Sequence, residues 1–236
     1  MYLFNQLLFP RGWFGVEAVV FDMDGVLVNF NIDSRRIKTE IIEYFEARGF
    51  PKGLLSPALP FSKIKEEVER HFSSEGMHKD QILEILRAAE GMAVDHEVEA
   101  AKTTRLLPGA KDTLSELKAM GVRLAIFTYN NSKAVRMALE RLGLEGYFDA
   151  VVSRDQVESP KPNPCHLRRV LELLGVSAGE ALVVGDSEMD IKPAKELGVK
   201  VAAITTGVRS EEELRAHAPD YIVNRLPEVI EIVRKG

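Results

Sequence analysis

The 236-residue sequence predicts an α/β fold, a parallel-sheet core with crossover helices into which an α-helical unit is inserted. Two patterns carry that prediction. From Leu107 onward, short β-branched runs alternate with amphipathic helical stretches, the signature of parallel strands joined by helical crossovers. Between Ile32 and Arg105 apolar residues recur at helical spacing, with hardly any strand signal.

The elements follow in order. Residues 1–15, MYLFNQLLFPRGWFG, are apolar but broken by Pro10 and Arg11, lack a basic flank, and are too short to span a bilayer. They read as an extension packed on the body or on a second subunit. A cleaved signal peptide is the alternative, disfavoured because cleavage would fall almost on the first strand. Ala18 to Phe21 form that strand, a short apolar run suited to burial. In the inserted region Ile37, Ile41, Tyr44 and Phe45 share one helical face, as do Phe61, Ile64, Val68 and Phe72. Ile82, Ile85, Leu86 and Ala89 form another face, and Val94, Val98 and Ala101 a weaker one. The core is therefore assigned to 1–31 and 106–236 and the helical cap to 32–105, with linkers near Asn29 to Asn31 and Arg105 to Pro108.

Within the core, further strands are expected at Val122 to Phe127, Ala150 to Val152, Ala181 to Gly185, Val199 to Ile204 and Tyr221 to Val223. Helices are expected at Ala110 to Met120, Lys133 to Leu142, Pro164 to Leu174, Ile191 to Leu197, Glu211 to His217 and Pro227 to Arg234. Gly121, Gly143, Gly175 and Gly198 stand where left-handed helix caps belong. Pro193 falls in the tolerated first turn if its helix begins near Ile191.

With 45% hydrophobic and 28% charged residues the composition is that of a soluble globular protein, and the net charge of −5 disfavours nucleic acid or an anionic membrane as partner. The single Cys165 forms no internal disulfide and gives no metal-ligand spacing, so the cytoplasm is the default compartment. A monomer and a homodimer are both compatible with the sequence.

Polar residues gather at the predicted strand ends: Asp22 and Asp24 in FDMDG, Thr128 and Asn130, Lys161 in SPKPNP, and Asp186 and Asp190 in GDSEMD. Each has a structural reading. Asp-x-Asp-Gly is also a turn sequence; Thr128 and Asn130 would cap the helix near Ser132; Ser187 or Asp190 would cap the helix that follows. Lys161 is held between Pro160 and Pro162, which keep its flanks extended, and Asn163-Pro164 reads as an N-cap and first helical position. Jointly, like charges at buried strand ends demand something positive. Three carboxylates converging on one sheet edge suit a hard divalent cation such as Mg2+, which takes one or two carboxylates plus substrate phosphate.

The set FDMDG, FTYN, SPKPNP and GDSEMD resembles, in order and spacing, the four motifs of the haloacid dehalogenase superfamily. The likeness covers nearly the whole chain after Glu17. The helical insertion is similar to the cap of phosphoglycolate-phosphatase-like members, and TTGVRSEEEL and PDYIVNRLPEV to that subgroup's closing segments. This resemblance implies a Rossmann-like core and a Mg2+-dependent phosphatase acting on a small phosphorylated metabolite, phosphoglycolate among them. It implies that Asp22 is the nucleophile forming an aspartyl phosphate, and that Asp24 protonates the leaving group and then activates water. Thr128 and Lys161 would hold and neutralise the phosphoryl group, with Asn130 and the backbone N–H groups around Met23 and Asn130 completing the cradle. Mg2+ would be held by the Asp22 side chain, the Asp24 carbonyl and Asp186, with Asp190 acting through water or orienting its neighbours. Asn29, Phe30 and Asn31 depart from the acidic and small residues usual after the first motif.

Among alternatives, dehalogenation needs neither Asp24 nor a metal set. Phosphonate hydrolysis would need a Schiff-base lysine in the cap, and nothing singles out Lys38, Lys63 or Lys65. A phosphomutase of the β-phosphoglucomutase type would use the same groups. A phosphate-responsive regulatory or binding protein would not need Asp24, and a structural protein would explain the apolar N-terminus but not the polar strand ends. Arg35, Arg36, Lys63, Lys65, His71 and His78 read as solvated helix faces.

Overall fold

A computed structural model describes residues 15–29 and 32–235. Except for Gly15, the apolar extension lies outside the described residues, as do Phe30 and Asn31 of the first linker. The described chain divides into two compact units, one drawn from 15–29 and 102–235 and the other from 32–101.

The larger unit is built on a parallel sheet of six strands among the described residues, in the order β3-β2-β1-β4-β5-β6. The strands are β1 (Ala18–Phe21), β2 (Arg123–Thr128), β3 (Ala150–Ser153), β4 (Ala181–Gly185), β5 (Lys200–Ile204) and β6 (Tyr221–Val223). β1 lies at the centre, paired with β2 on one side and β4 on the other, and all four of its residues are fully buried. Such apolar runs without polar alternation are what a sheet covered on both faces requires. On one face Val20, Ala125, Phe127, Val183, Val201 and Ala203 pack with Leu167, Val170, Leu171, Ile191 and Ala194 from the crossover helices.

The helices of this unit are α4 (Ala110–Ala119), α5 (Ser132–Leu142), α6 (Pro164–Leu174), α7 (Glu188–Leu197), α8 (Glu211–Arg215) and α9 (Glu228–Lys235). α6 starts as its sequence predicts, with Asn163 accepting from the Cys165 N–H at 2.9 Å and Pro164 in the first turn. Gly143, Gly175 and Gly198 cap α5, α6 and α7 in the left-handed conformation.

Three local expectations are corrected. α7 begins at Glu188 rather than near Ile191, because Ser187 and Asp190 close a capping box one turn earlier. Pro193 is then inside the helix, beyond its first turn, where the missing N–H removes one i to i−4 bond. The cap of α5 is Asn131, whose side chain accepts from the Lys133 N–H at 2.9 Å, and neither Thr128 nor Asn130 fills that position. Lys161 lies in a turn closed by the Asn163 N–H on the Pro160 carbonyl at 3.1 Å, not in an extended segment, and the Lys161–Pro162 peptide is cis.

The smaller unit holds three helices among the described residues, α1 (Ser34–Glu46), α2 (Phe61–Ser74) and α3 (Lys79–Thr103). Its core is Ile41, Phe45, Phe50, Ile64, Val68, Phe72, Ile82, Ala89 and Ala93. The two expected apolar faces after residue 78 belong to the single 25-residue helix α3. Its buried line runs Ala89, Ala93, Glu97, Ala101 at a spacing of four, so Val94 and Val98, one position further round, are only half-buried. Because α3 runs to Thr103, the passage between the units falls within a helix, at 101–102, and not in a loop at Arg105. No helix among the described residues is long and apolar enough to cross a membrane.

Candidate active site

Sheet register decides which side chains meet. Phe21 pairs with Val184 on one side and Ile126 on the other, so the carboxyl ends of β1, β2 and β4 lie side by side. The Asp22 N–H continues the ladder to the Val184 carbonyl at 2.9 Å, and its side chain emerges just beyond the strand, buried. In open α/β sheets this edge, where the strand order reverses about a central strand, is where ligands bind.

Lys161 comes to the same edge from the turn between β3 and α6. Its Nζ is 2.7 Å from Asp22 Oδ1 and 2.7 Å from Asp190 Oδ1, 3.4 Å from the Phe127 carbonyl, and 4.6 Å from the centroid of the Phe127 ring. The lysine side chain is 3% exposed and that of Asp190 fully buried. Asp190 Oδ2 accepts from the Asp186 N–H and Ser187 N–H, each at 3.2 Å, and from the Ser187 hydroxyl at 2.9 Å. Both oxygens of Asp190 are thus committed to protein donors. Carboxylate oxygens of Asp22, Asp186 and Asp190 lie within 4.8 Å of one another, the group among the described residues that could hold a metal ion.

Asp186 is enclosed by main chain. Its Oδ2 accepts from the Val208 N–H at 2.9 Å, and Gly25 and Gly207 approach so closely that a Cβ on either would overlap its carboxylate. Gly25 also has φ +74°, a conformation that favours glycine. The Thr206 hydroxyl donates to the Gly25 carbonyl at 2.6 Å, tying the loop after β5 to the turn after β1.

Asp24 is half-buried and accepts from the side-chain amide of Asn130. Asn130, expected in a phosphate cradle, thus turns its amide to the second acid. The two backbone donors expected there are engaged locally: the Met23 N–H donates to Asp22 Oδ1 at 2.7 Å and the Asn130 N–H to Thr128 Oγ1 at 3.2 Å. Short polar side chains at strand ends satisfy nearby backbone donors in this way.

The electrostatics follow from burial. Burial pushes the Asp22 carboxyl well above the usual carboxylate range; Lys161 pulls it back, and Asp190 and Asp186 push it up again. Asp186 rises to about 6, chiefly through burial and then through repulsion from Asp190. Burial opposes the Lys161 charge, but Asp190 and Asp22 outweigh it and hold the ammonium more firmly protonated than usual.

Several contributors escape sequence reasoning. Gly207 and the Val208 N–H left only a TTGV turn signal. His166, fully buried at the start of α6, accepts from the Lys161 N–H, and its signal is a histidine on the apolar stripe it shares with Val170 and Leu174. Arg154 is buried with its guanidinium donating to the Tyr129 carbonyl at 2.8 Å, bracing the loop that carries Thr128 and Asn130.

The family model for haloacid dehalogenase-like hydrolases matches residues 19–204. The chain is similar to the pyrophosphatase PpaX of Bacillus velezensis, 30% identical over 218 residues that cover 92% of this chain and 96% of that protein. Among solved structures it resembles a predicted phosphoglycolate phosphatase from Haemophilus somnus, with a TM-score of 0.66 at 22% identity over 94% of this chain and 99% of that one. It also resembles a subfamily IA hydrolase of the same superfamily from Geobacter sulfurreducens, with a TM-score of 0.58 at 27% identity and the same two coverages.

The raised Asp186 pKa has a definite sign. The folded state holds its proton to about pH 6 where the unfolded chain releases it near 3.8, so the group's cost to folding grows from about pH 4 to about pH 6 and is complete above that. In chelator, Asp186→Asn is expected to raise unfolding stability at pH 7 by about 3 kcal/mol, with the gain vanishing towards pH 4. Urea denaturation of both proteins at the two pH values measures it, and a destabilised variant at pH 7 would contradict it.

Proposed function

Because the chain belongs to the haloacid dehalogenase-like hydrolase family, we propose that it is a Mg2+-dependent phosphatase that hydrolyses a small phosphorylated metabolite through an aspartyl phosphate on Asp22. The observation that carries this reading is the buried Lys161 ammonium, 2.7 Å from Asp22, within a cluster of three carboxylates at the switch edge of the sheet.

The donor set fits a hard divalent cation. Three buried carboxylates surround one ammonium, and Asp22 and Asp186 are pushed up by burial first and then by repulsion from the neighbouring acids. The glycines at 25 and 207 leave the room that the Asp186 carboxylate occupies, which a Cβ at either position would take. Asp22, Asp186 and the Asp24 carbonyl would hold Mg2+, while Asp190, bonded to Lys161 and Ser187, orients the set. When bound, the ion supplies charge neutralisation for the phosphoryl oxygens facing the Asp22 carboxylate.

An Asp22 oxygen forms the new bond to phosphorus as the ester P–O bond breaks, and Asp24 delivers its proton to the departing oxygen. Asp24 then takes a proton from water, whose oxygen attacks phosphorus; the bond to Asp22 breaks, and phosphate leaves with the carboxylate restored. Asn130 orients Asp24 for both transfers. The Thr128 hydroxyl, which accepts from the Asn130 N–H, keeps its own proton for a phosphoryl oxygen, and Lys161 neutralises charge on the transferring group. The helical unit, inserted between the first and second motifs, resembles the subgroup's cap, and this reading gives it a cap's role.

The subgroup resemblance makes phosphoglycolate one substrate to assay, and the name of the Bacillus velezensis relative adds pyrophosphate. An acid held beside the nucleophile favours turnover over a protein that only stores a phosphoryl group. A panel read for both inorganic phosphate and isomerised sugar phosphate separates hydrolysis from mutase activity.

Asp22→Asn is expected to abolish Mg2+-dependent phosphate release from an aryl phosphate, and substantial residual activity would refute the nucleophile. Asp24→Asn is expected to lower kcat/KM, which reports transfer to Asp22 and not the shared hydrolysis step, about 10²- to 10⁴-fold for alkyl phosphates and far less for aryl phosphates, whose leaving groups need no proton. Values of kcat/KM across a leaving-group series measure this, and an equal loss throughout would remove Asp24 from the acid role.

A further inference from the structure

One buried ionisable group beside Lys161 takes no part in the chemistry above. His166 is fully buried in the first turn of α6. Its Nδ1 lies 3.1 Å from the Lys161 main-chain nitrogen and its Nε2 3.0 Å from the Val152 carbonyl oxygen. An N–H only donates and a carbonyl only accepts, so a single tautomer satisfies both contacts: neutral, with Nδ1 bare and Nε2 protonated. Its ring packs edge-on to Phe127, with centroids 5.6 Å apart and planes at 70°, and the Phe127 ring is the one over which Lys161 Nζ sits. The imidazole therefore joins the end of β3 to the Lys161 backbone.

A leucine at this position would continue the apolar stripe of Val170 and Leu174, but would leave the Lys161 N–H and the Val152 carbonyl without these partners. We infer that His166 is a positioning residue for Lys161: its neutral imidazole fixes the Lys161 main chain and so sets the ammonium between Asp22 and Asp190. The inference rests on the reading of Lys161 as the group that neutralises the transferring phosphoryl. The titration behaviour of the ring agrees with the geometry. Burial drives it down to about 4 and the Lys161 charge adds to this, while the Val152 hydrogen bond and Asp190 act in the other direction. A proton on Nδ1 would set donor against donor at the Lys161 nitrogen.

Two substitutions divide the imidazole's functions. His166→Asn offers an oxygen near the Nδ1 position and keeps an acceptor for the Lys161 N–H; His166→Gln reaches the Nε2 position and keeps a donor for Val152 only. Both delete the ring, so both are expected to lower the melting temperature. In His166→Gln, kcat for an aryl phosphate with Mg2+ is expected to fall about 10- to 100-fold with KM little changed, and His166→Asn to recover most of it. Losses of kcat that are equal in the two variants and track their melting temperatures would overturn the inference. Assayed beside them, Lys161→Ala separates the failures. If it is inactive while His166→Gln keeps wild-type kcat, the positioning role alone falls; if it keeps full activity, the catalytic reading falls as well. The wild-type protein gives a test that needs no variant: ring-nitrogen NMR shifts of His166 should show Nδ1 bare and Nε2 protonated from about pH 5 to about pH 8. The opposite tautomer would overturn the assignment.

Discussion

The Lys161 ammonium, buried and bonded at 2.7 Å to both Asp22 and Asp190, is the interaction on which the rest of the site depends. Taking such charges out of water costs several kcal/mol per ion, and removing one partner from a buried pair typically costs about 3–5 kcal/mol. The arrangement survives because every member has several bonds. Asp190 also takes two backbone N–H groups and the Ser187 hydroxyl, Asp22 also takes the Met23 N–H, and the Lys161 backbone is tied to His166. Even so, one cation faces three carboxylates, and Asp22 and Asp186 are raised by burial first and by that excess negative charge second. A protein selected for stability alone would have no reason to keep that excess; a site that receives a cation and a phosphoryl group does.

The fold makes the cluster possible without distortion. A central β1 flanked by β2 and β4 places three strand ends in one row, and the turn before α6 brings the lysine over them. Glycine then supplies what side chains would obstruct. Gly25 and Gly207 admit the Asp186 carboxylate, and Gly185 lies so close to Asp190 that a Cβ would overlap it. Loops almost two hundred residues apart in sequence are joined there by the hydroxyl of Thr206 on the carbonyl of Gly25.

Much of this was legible in the sequence, for a physical reason. An acid directly after a buried apolar run is expensive unless it has a purpose, so Asp22 and Asp186 stood out, and a lysine framed by prolines stood out similarly. The parallel sheet was legible because β-branched runs and amphipathic helices alternate with different periods. What the sequence did not disclose were through-space choices between equally good partners. Asn130 had a cap, a cradle and an acid available, and only the fold directs its amide to Asp24. Ser187 and Asp190 each read as a possible cap, but only the fold shows that they close one capping box together and so start α7 a turn before Ile191. The two apolar faces after residue 78 gave no sign of being one helix, because Ala89, Ala93 and Ala101 mark a buried face only weakly. His166 carried no local signal beyond its place on an apolar stripe, since both of its partners belong to other elements.

In the proposed reaction phosphorus becomes bonded to the Asp22 carboxylate during turnover. The most direct measurement is to quench the protein with borohydride while it turns over a phosphorylated substrate in Mg2+, then map the product by mass spectrometry. An acyl phosphate at Asp22 is reduced to homoserine at position 22, and that conversion is expected there, dependent on substrate and absent from Asp22→Asn. Reduction at another carboxylate, or none in a protein that is releasing phosphate, would contradict it.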